Sequence, residues 1–447
     1  MDERILFLTG RLAHDSLCRE IEGLENRMFS WRVQELGLQV AGLMTADMIR
    51  RRLPAPDDVQ RIIVPGLCGG EVEALSQVYG MPVERGPKDL KDLPEFFGTA
   101  GRTSDLGEHG VTIIAEIVDA PHMAVGRILE RAAAYRADGA DVIDLGCLPG
   151  VDFPHMEDSV AALKDAGFAV SVDSLERPEL ARAAAAGADY LLSLRESTLD
   201  IAADSASVPV LIPEHPADLD SLYRAAETLA AEGRRFLLDP VLEPIHFGFT
   251  ESLLRYHAVR RRYPEAEIMM GIGNLTELTD ADTTGITALL MGVVSELGVG
   301  AVLTTEVSPH AHTSVREADI ARRIMWAARR DGNLPRRYHA GLMALKDRKP
   351  FPHTSEEVAQ TAAAIRDPSF RIQVTRAGLH VYNRDGHRLA TDPFELWPEL
   401  GVADDASHAF YLGVELGRAQ IAWQLGKRYL QDNELEWGVA FRGAAQE

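Results

Sequence analysis

The chain has 447 residues, more than one ordinary domain takes up at roughly 100–200 residues each, so several domains are expected. Apolar residues make up 46% and charged residues 26%, the balance of a soluble globular protein, and no apolar run reaches the ~18 residues that span a membrane. A net charge of −22 with no basic run longer than "RRR" argues against nucleic-acid and membrane partners and for small molecules.

The first hundred residues alternate strand-like and helical runs: "ILFLTG", "LAHDSLCREIEGL", "QVAGLMT", "ADMIRRRL", "RIIVPG" and "GGEVEALSQVYG". Parallel strands with helical crossovers make an N-terminal Rossmann-like α/β domain, over 1–95, the expected fold. "GLCGGE" lacks a Walker lysine and the GxGxxG spacing, so it reads as a tight strand-to-helix turn. The start "MDERILFLTG" carries no basic segment, and Cys18, Cys68 and Cys147 form no CxxC pair. A cytoplasmic protein with reduced thiols is expected.

Residues 86–110 contain proline, glycine and lysine and read as a linker. Beyond them, strand-like runs recur at 111–118, 141–146, 169–174, 190–194, 208–213, 235–240, 267–273 and 300–306, separated by helical patterns such as "GRILERAAAYRADG". Eight β/α units in about 220 residues match a TIM (β/α)8 barrel over 111–332, closed by "READIARRIMWAARR". An open doubly wound sheet is the alternative. From 345 to 447 a C-terminal α+β domain is expected. It has a hairpin at "NRDG", a helix over 407–432 and a last strand at "ELEWGVAF".

In a barrel the chemistry sits at the carboxyl ends of the strands. The polar residues there are Glu116, Asp119, Asp144, Asp173, Ser193, Asp239, Asn274, Glu306 and Ser308. One such acid is an ordinary helix cap, but a ring of them can accept hydrogen bonds from a flat heterocycle rich in N–H groups. After the eighth strand, Ser314 can cap the last helix, with His310, His312 and Arg316 as donors for an anionic group. "HAH" is short of a third zinc ligand, so no protein-held metal is expected. Mg2+ carried in by a diphosphate substrate is the expected ion.

The segments "GADVIDLG", "SVDSLERPELARAAAAGADYLLSL" and "LLDP" resemble the pterin-binding barrel family, which includes dihydropteroate synthase and the methyltetrahydrofolate methyltransferases. The resemblance implies that Asp173 and Asp239 hold the aminopyrimidine ring of a reduced pterin substrate. Asp144 matches the IDxG acid, with Glu116 and Ser193 completing the pterin site. With its flanking domains the chain looks like the archaeal and methylotroph dihydropteroate synthase-related proteins of tetrahydromethanopterin biosynthesis. The implied reaction joins a dihydropterin-6-ylmethyl diphosphate to an arylamine of the ribofuranosylaminobenzene phosphate type, in a homodimer, with Asp144, Asn274 and Arg316 catalytic.

Two departures stand out. The long Ser/Asp/Gly-rich loop that the synthases carry after the first strand is replaced by a short turn, and no lysine occurs between Lys164 and Lys346. Asn274 stands where the synthases carry a lysine and resembles the asparagine of the methyltransferase branch. A one-carbon transferase using a reduced pterin, or a non-catalytic pterin-binding protein, is the alternative.

Overall fold

The computed structural model describes residues 3–24, 28–98, 105–203 and 205–441. The chain divides into two compact units, Met1–Glu108 with Ala327–Tyr338, and His109–Trp326 with His339–Glu447. The boundary expected at 332 thus falls inside a segment that groups with the first unit.

In the first unit, β1 (Glu3–Thr9), β2 (Phe29–Glu35), β3 (Arg61–Val64) and β4 (Val83–Arg85) form a parallel sheet in the order β2-β1-β3-β4. Alternation along β1 sends Leu6 and Leu8 to one apolar cluster and Ile5 and Phe7 to the other. Helix Ala46–Arg52 buries Ile49 in the first, and helix His14–Glu22 buries Leu17 and Ile21 in the second. The result is a three-layer, Rossmann-like domain. Its second strand is not "QVAGLMT", where Ala41–Leu43 coils into a 3-10 turn. The strand lies ten residues earlier, where Phe29, Trp31 and Val33 pack on the sheet's lower face. The supposed linker also contributes, since Leu93 is buried in that lower cluster. Residues 99–104 lie outside the described part.

In the second unit, eight parallel strands run around a barrel. They are β5 (Thr112–Ile117), β6 (Val142–Gly146), β7 (Ala169–Asp173), β8 (Tyr190–Leu194), β9 (Val208–Leu211), β10 (Leu237–Leu238), β11 (Met269–Gly271) and β12 (Ala301–Thr305). The order is β10-β9-β8-β7-β6-β5-β12-β11, and a single parallel bridge between Leu238 and Ile268 closes the ring. Because side chains alternate, Ile114, Val142, Leu192, Val210, Leu237 and Met269 fill the barrel's inside. Ile113, Ile143, Val170 and Leu191 face the helices.

Helix Ser314–Asp331 fastens the end of the barrel to its beginning. Arg322, with a side chain 2% exposed, donates to the carbonyls of Val111 and Gly139 and to Asp141 and Asp319. A buried guanidinium persists only with such complete pairing.

Residues 371–390 form the antiparallel meander β13 (Arg371–Thr375), β14 (Gly378–Asn383) and β15 (Gly386–Ala390), with the expected turn at Asn383–Gly386. Helix Ala406–Leu425 lays Leu412, Leu416 and Ala419 on it and stops at Gly426, φ +70°. The expected last strand is absent: residues 438–440 form a 3-10 turn, and Val439 N–H bonds Gly341 O.

Candidate active site

Every second residue of a barrel strand points inward, and at the carboxyl ends of β5, β6 and β7 those residues are acids. Register pairs Glu116 with Asp144, Gly146 with Asp173, and Thr305 with Glu116. A Cβ on Gly146 would lie 2.6 Å from Glu116 Oε1, so glycine leaves the room the carboxylate takes. Above them opens a cavity of about 510 Å³, lined by Glu116, Asp173, Ser193, Arg195, Asp239 and Asn274 among apolar residues. That size suits a small organic ligand.

Each acid is held differently. Asp144 is the floor, fully buried. Ser171 Oγ donates to its Oδ1 at 2.5 Å, and its Oδ2 has no partner among the described residues. Asp173 accepts from Ser193 Oγ at 2.6 Å. Asp239 accepts from Tyr256 Oη at 2.5 Å and from Val241 N–H at 2.8 Å.

Burial raises the proton affinity of all of them. It pushes Glu116 to about 8, aided by the negative charges of Asp173 and Glu277. Asp144 is driven well above the carboxylate range by burial and then by Asp173 and Glu116. Burial also raises Asp173, against the pull of the Ser193 bond. Asp239 reaches about 6, its hydrogen bonds from Tyr256 and Val241 opposing burial. Like charges so close cannot all ionise without a cation or shared protons.

Glu116, Asp144 and Asp173 each bring a carboxylate oxygen within 4.8 Å of the others. That all-oxygen set fits a hard divalent cation, and the unpartnered Asp144 Oδ2 offers it a free ligand atom. The sequence, with its acids scattered over separate strands, had given no reason to expect a protein-held ion.

Asn274 does reach the mouth, on the one-turn helix Gly273–Thr276. It caps nothing: its Nδ2 donates to the Leu242 carbonyl at 2.6 Å.

The expected anion cradle after β12 is a different matter. Glu277 accepts the N–H groups of Val307 and Ser308 at 2.9 and 2.8 Å, and Glu306 accepts that of Val315 at 3.1 Å. The protein's own carboxylates thus sit where a phosphate would. His310 Nε2 lies 3.0 Å from the Thr276 carbonyl, and His312 Nδ1 lies 2.5 Å from that of Pro309. Ser314 does not cap the helix, because its buried Oγ has no partner among the described residues. Arg316 donates through two nitrogens to Asp138, at 2.8 and 3.0 Å. Asp138 follows helix Val125–Ala137 and leads into the amino end of β6, so this guanidinium is drawn toward the face opposite the mouth.

The cation at the cavity is instead Arg195, two residues beyond Ser193. It follows β8, is the basic residue among those lining the cavity, and its buried Nε has no hydrogen-bond partner among the described residues. The signal was available: Arg195 ends the run "YLLSLR". Thr304 Oγ1 is a second unpartnered buried donor in the lining.

A family of unknown function, DUF6513, matches residues 3–88. An uncharacterized protein of Methanocaldococcus jannaschii is 28% identical, the match covering 97% of this chain and 99% of that one. Similar solved structures include a Yersinia pestis dihydropteroate synthase in a sulfonamide drug complex, 19% identical with a TM-score of 0.40, covering 52% of this chain and 97% of that one. The Burkholderia cenocepacia dihydropteroate synthase complexed with 7,8-dihydropteroate is 19% identical with a TM-score of 0.39, covering 50% and 92%.

Chemically, the mouth offers fixed acceptors on opposite walls, at Asp173 and Asp239, and a guanidinium at the rim. Buried acceptors of this kind select a ligand edge that can donate to them, because an edge without donors leaves them unsatisfied.

Proposed function

We propose that the barrel mouth binds a reduced pterin and that the protein is a pterin-utilising transferase. The observation that carries this reading is the pair Asp173 and Asp239, each locked by a side-chain hydroxyl, from Ser193 and Tyr256, at the rim of one apolar-walled cavity. Such acceptors match the amino and amide N–H groups of a pterin's pyrimidine edge. Tyr256 and Ser193 orient the carboxylates, and burial lets Asp239, near 6, or Glu116, near 8, keep or surrender a proton close to neutrality.

The finer reading is the joining of a dihydropterin-6-ylmethyl diphosphate to an arylamine, within tetrahydromethanopterin biosynthesis. Arg195 then takes the role first given to Arg316, forking the diphosphate as it leaves. Mg2+ on that diphosphate would neutralise its charge.

A second reading, one-carbon transfer from a reduced pterin, is favoured by one observation. The backbone N–H groups of Val307, Ser308 and Val315 are already bonded to Glu277 and Glu306, which suits a reaction without a phosphate leaving group.

The test is direct. The protein is mixed with dihydropterin-6-ylmethyl diphosphate and an arylamine, and diphosphate release is followed, in parallel with methyl transfer from a methylated reduced pterin. Release supports the first reading and methyl transfer the second. If Asp173→Asn and Asp239→Asn leave pterin affinity unchanged, both fall.

A further inference from the structure

The sheet of the first unit reverses its winding at β1. The chain passes from β1 to β2 on one side and returns across it to β3 and β4 on the other. In parallel sheets such a reversal opens a crevice beyond the carboxyl ends of the two neighbouring strands, since the following segments leave in opposite directions. A cavity of about 180 Å³ occupies that position, walled by Phe7 and Thr9 of β1, Val64 and Gly66 at the end of β3, Ala13, and Lys88.

Close approach of the loops builds it. A Cβ on Gly10 would lie 2.6 Å from Ala41 N, and one on Gly66 would lie 2.4 Å from Pro87 O. Neither backbone can give way cheaply, so glycine at these two places lets the segments after β1 and β3 press against their neighbours.

The chemistry of the walls narrows the ligand. In dinucleotide-binding sheets the amides after the first strand hold phosphate. Here Arg11 N–H bonds Leu38 O at 2.8 Å, Leu12 N–H bonds Gln39 O at 3.1 Å, and Ala13 N–H bonds Gly10 O at 3.1 Å. Those donors are spent, and no phosphate cradle is left at that turn. Apart from Thr9 and Lys88 the lining side chains are apolar, no carboxylate of the described residues borders it, and Lys88 is its charged residue, exposed and without an ion-pair partner among the described residues. The volume lies below the ~300–1,000 Å³ of sites for larger ligands.

We infer that this crevice binds a small organic acid with a single-ring apolar body, the body between β1 and β3 and the carboxylate at Lys88. The site is separate from the barrel mouth and does not depend on the pterin reading.

Benzoate, benzyl alcohol and inorganic phosphate are the probes, titrated into the full chain and followed by ligand-observed NMR. Benzoate is expected to bind with a Kd of about 1 mM or tighter, benzyl alcohol more weakly, and phosphate not to compete. Lys88→Gln, on an exposed side chain, should raise the benzoate Kd about tenfold and leave benzyl alcohol unchanged. Ala13→Phe should block both by filling the crevice, and circular dichroism checks its fold. Failure of benzoate to saturate by ~10 mM, displacement by phosphate, or indifference to Lys88→Gln overturns the inference. So does binding that disappears in Arg195→Ala, which would place benzoate in the barrel.

Discussion

Ser193 donates its hydroxyl to Asp173 at 2.6 Å from a backbone held at φ +67°. The pairing of β8 with β9 shifts register between Leu191 and Leu194, and the irregularity turns Ser193 toward the cavity. Left-handed backbone in a serine costs roughly 1 kcal/mol and is kept where surrounding contacts enforce it. Ser193→Ala should weaken pterin binding about tenfold, the worth of one hydrogen bond to a charged acceptor, with little change in melting temperature. Ser193→Gly should lose the same affinity while melting no lower. Fluorescence titration and thermal unfolding check the pair.

The acids of β5–β7 set a pH dependence whose sign is fixed by their raised proton affinity. Glu116 holds its proton in the folded chain up to about 8, against an ordinary 4.5. The unfolded chain loses that proton earlier, so stability is full below about 4.5 and falls as pH rises toward 8. Urea unfolding should show a decline of at most roughly 5 kcal/mol over this interval, flattened in Glu116→Gln. Mg2+ or Mn2+ should restore stability on the alkaline side in the wild type and not in Asp144→Asn.

Asp239 near 6 gives ligand binding its own profile. Pterin affinity should fall as pH drops through 6, when the acceptor is protonated. Removing the Tyr256 donor raises the acid further, so Tyr256→Phe should move the midpoint to higher pH. An affinity curve at several pH values decides it, and an unmoved midpoint would separate Tyr256 from the site.

Two arginines should behave oppositely. Arg195→Ala is expected to raise the KM for a pterin diphosphate at least tenfold while sparing the affinity for the corresponding pterin alcohol. Arg316→Ala should leave both unchanged and destabilise the fold by roughly 1–3 kcal/mol, since it removes the two guanidinium bonds to Asp138, whose side chain is 5% exposed. Steady-state kinetics and urea unfolding distinguish them.

The contrast between these arginines marks how far the sequence could be read. Apolar runs ending in acids located the barrel strands, Asp173 and Asp239, because both the β period and the strand-end rule act within a few residues. Arg316 and Ser314 looked like site residues by the same local logic. Yet Arg316 is claimed by Asp138, 178 positions away, and Thr313 and Glu317 bond each other beside Ser314. Arg195 was legible in principle, but that no acid among the described residues pairs with it is determined only by the packed fold. The misplaced second strand has a similar cause: "FSWRVQE" is an edge strand, half exposed, and shows no continuous apolar run.

The barrel's weakest join is the bridge between Leu238 and Ile268. It lies between a two-residue strand and a three-residue one. Nearby, the Asn274 side chain holds the Leu242 carbonyl and spans the same join. Backbone amides of β10 and β11 should therefore exchange with deuterated solvent before those of β5–β7. A ligand that grips Asp239 and Asn274 at once touches the chain on both sides of that seam. It would act as a staple, and its arrival would be recorded as slowed exchange along two short strands that it covers only in part.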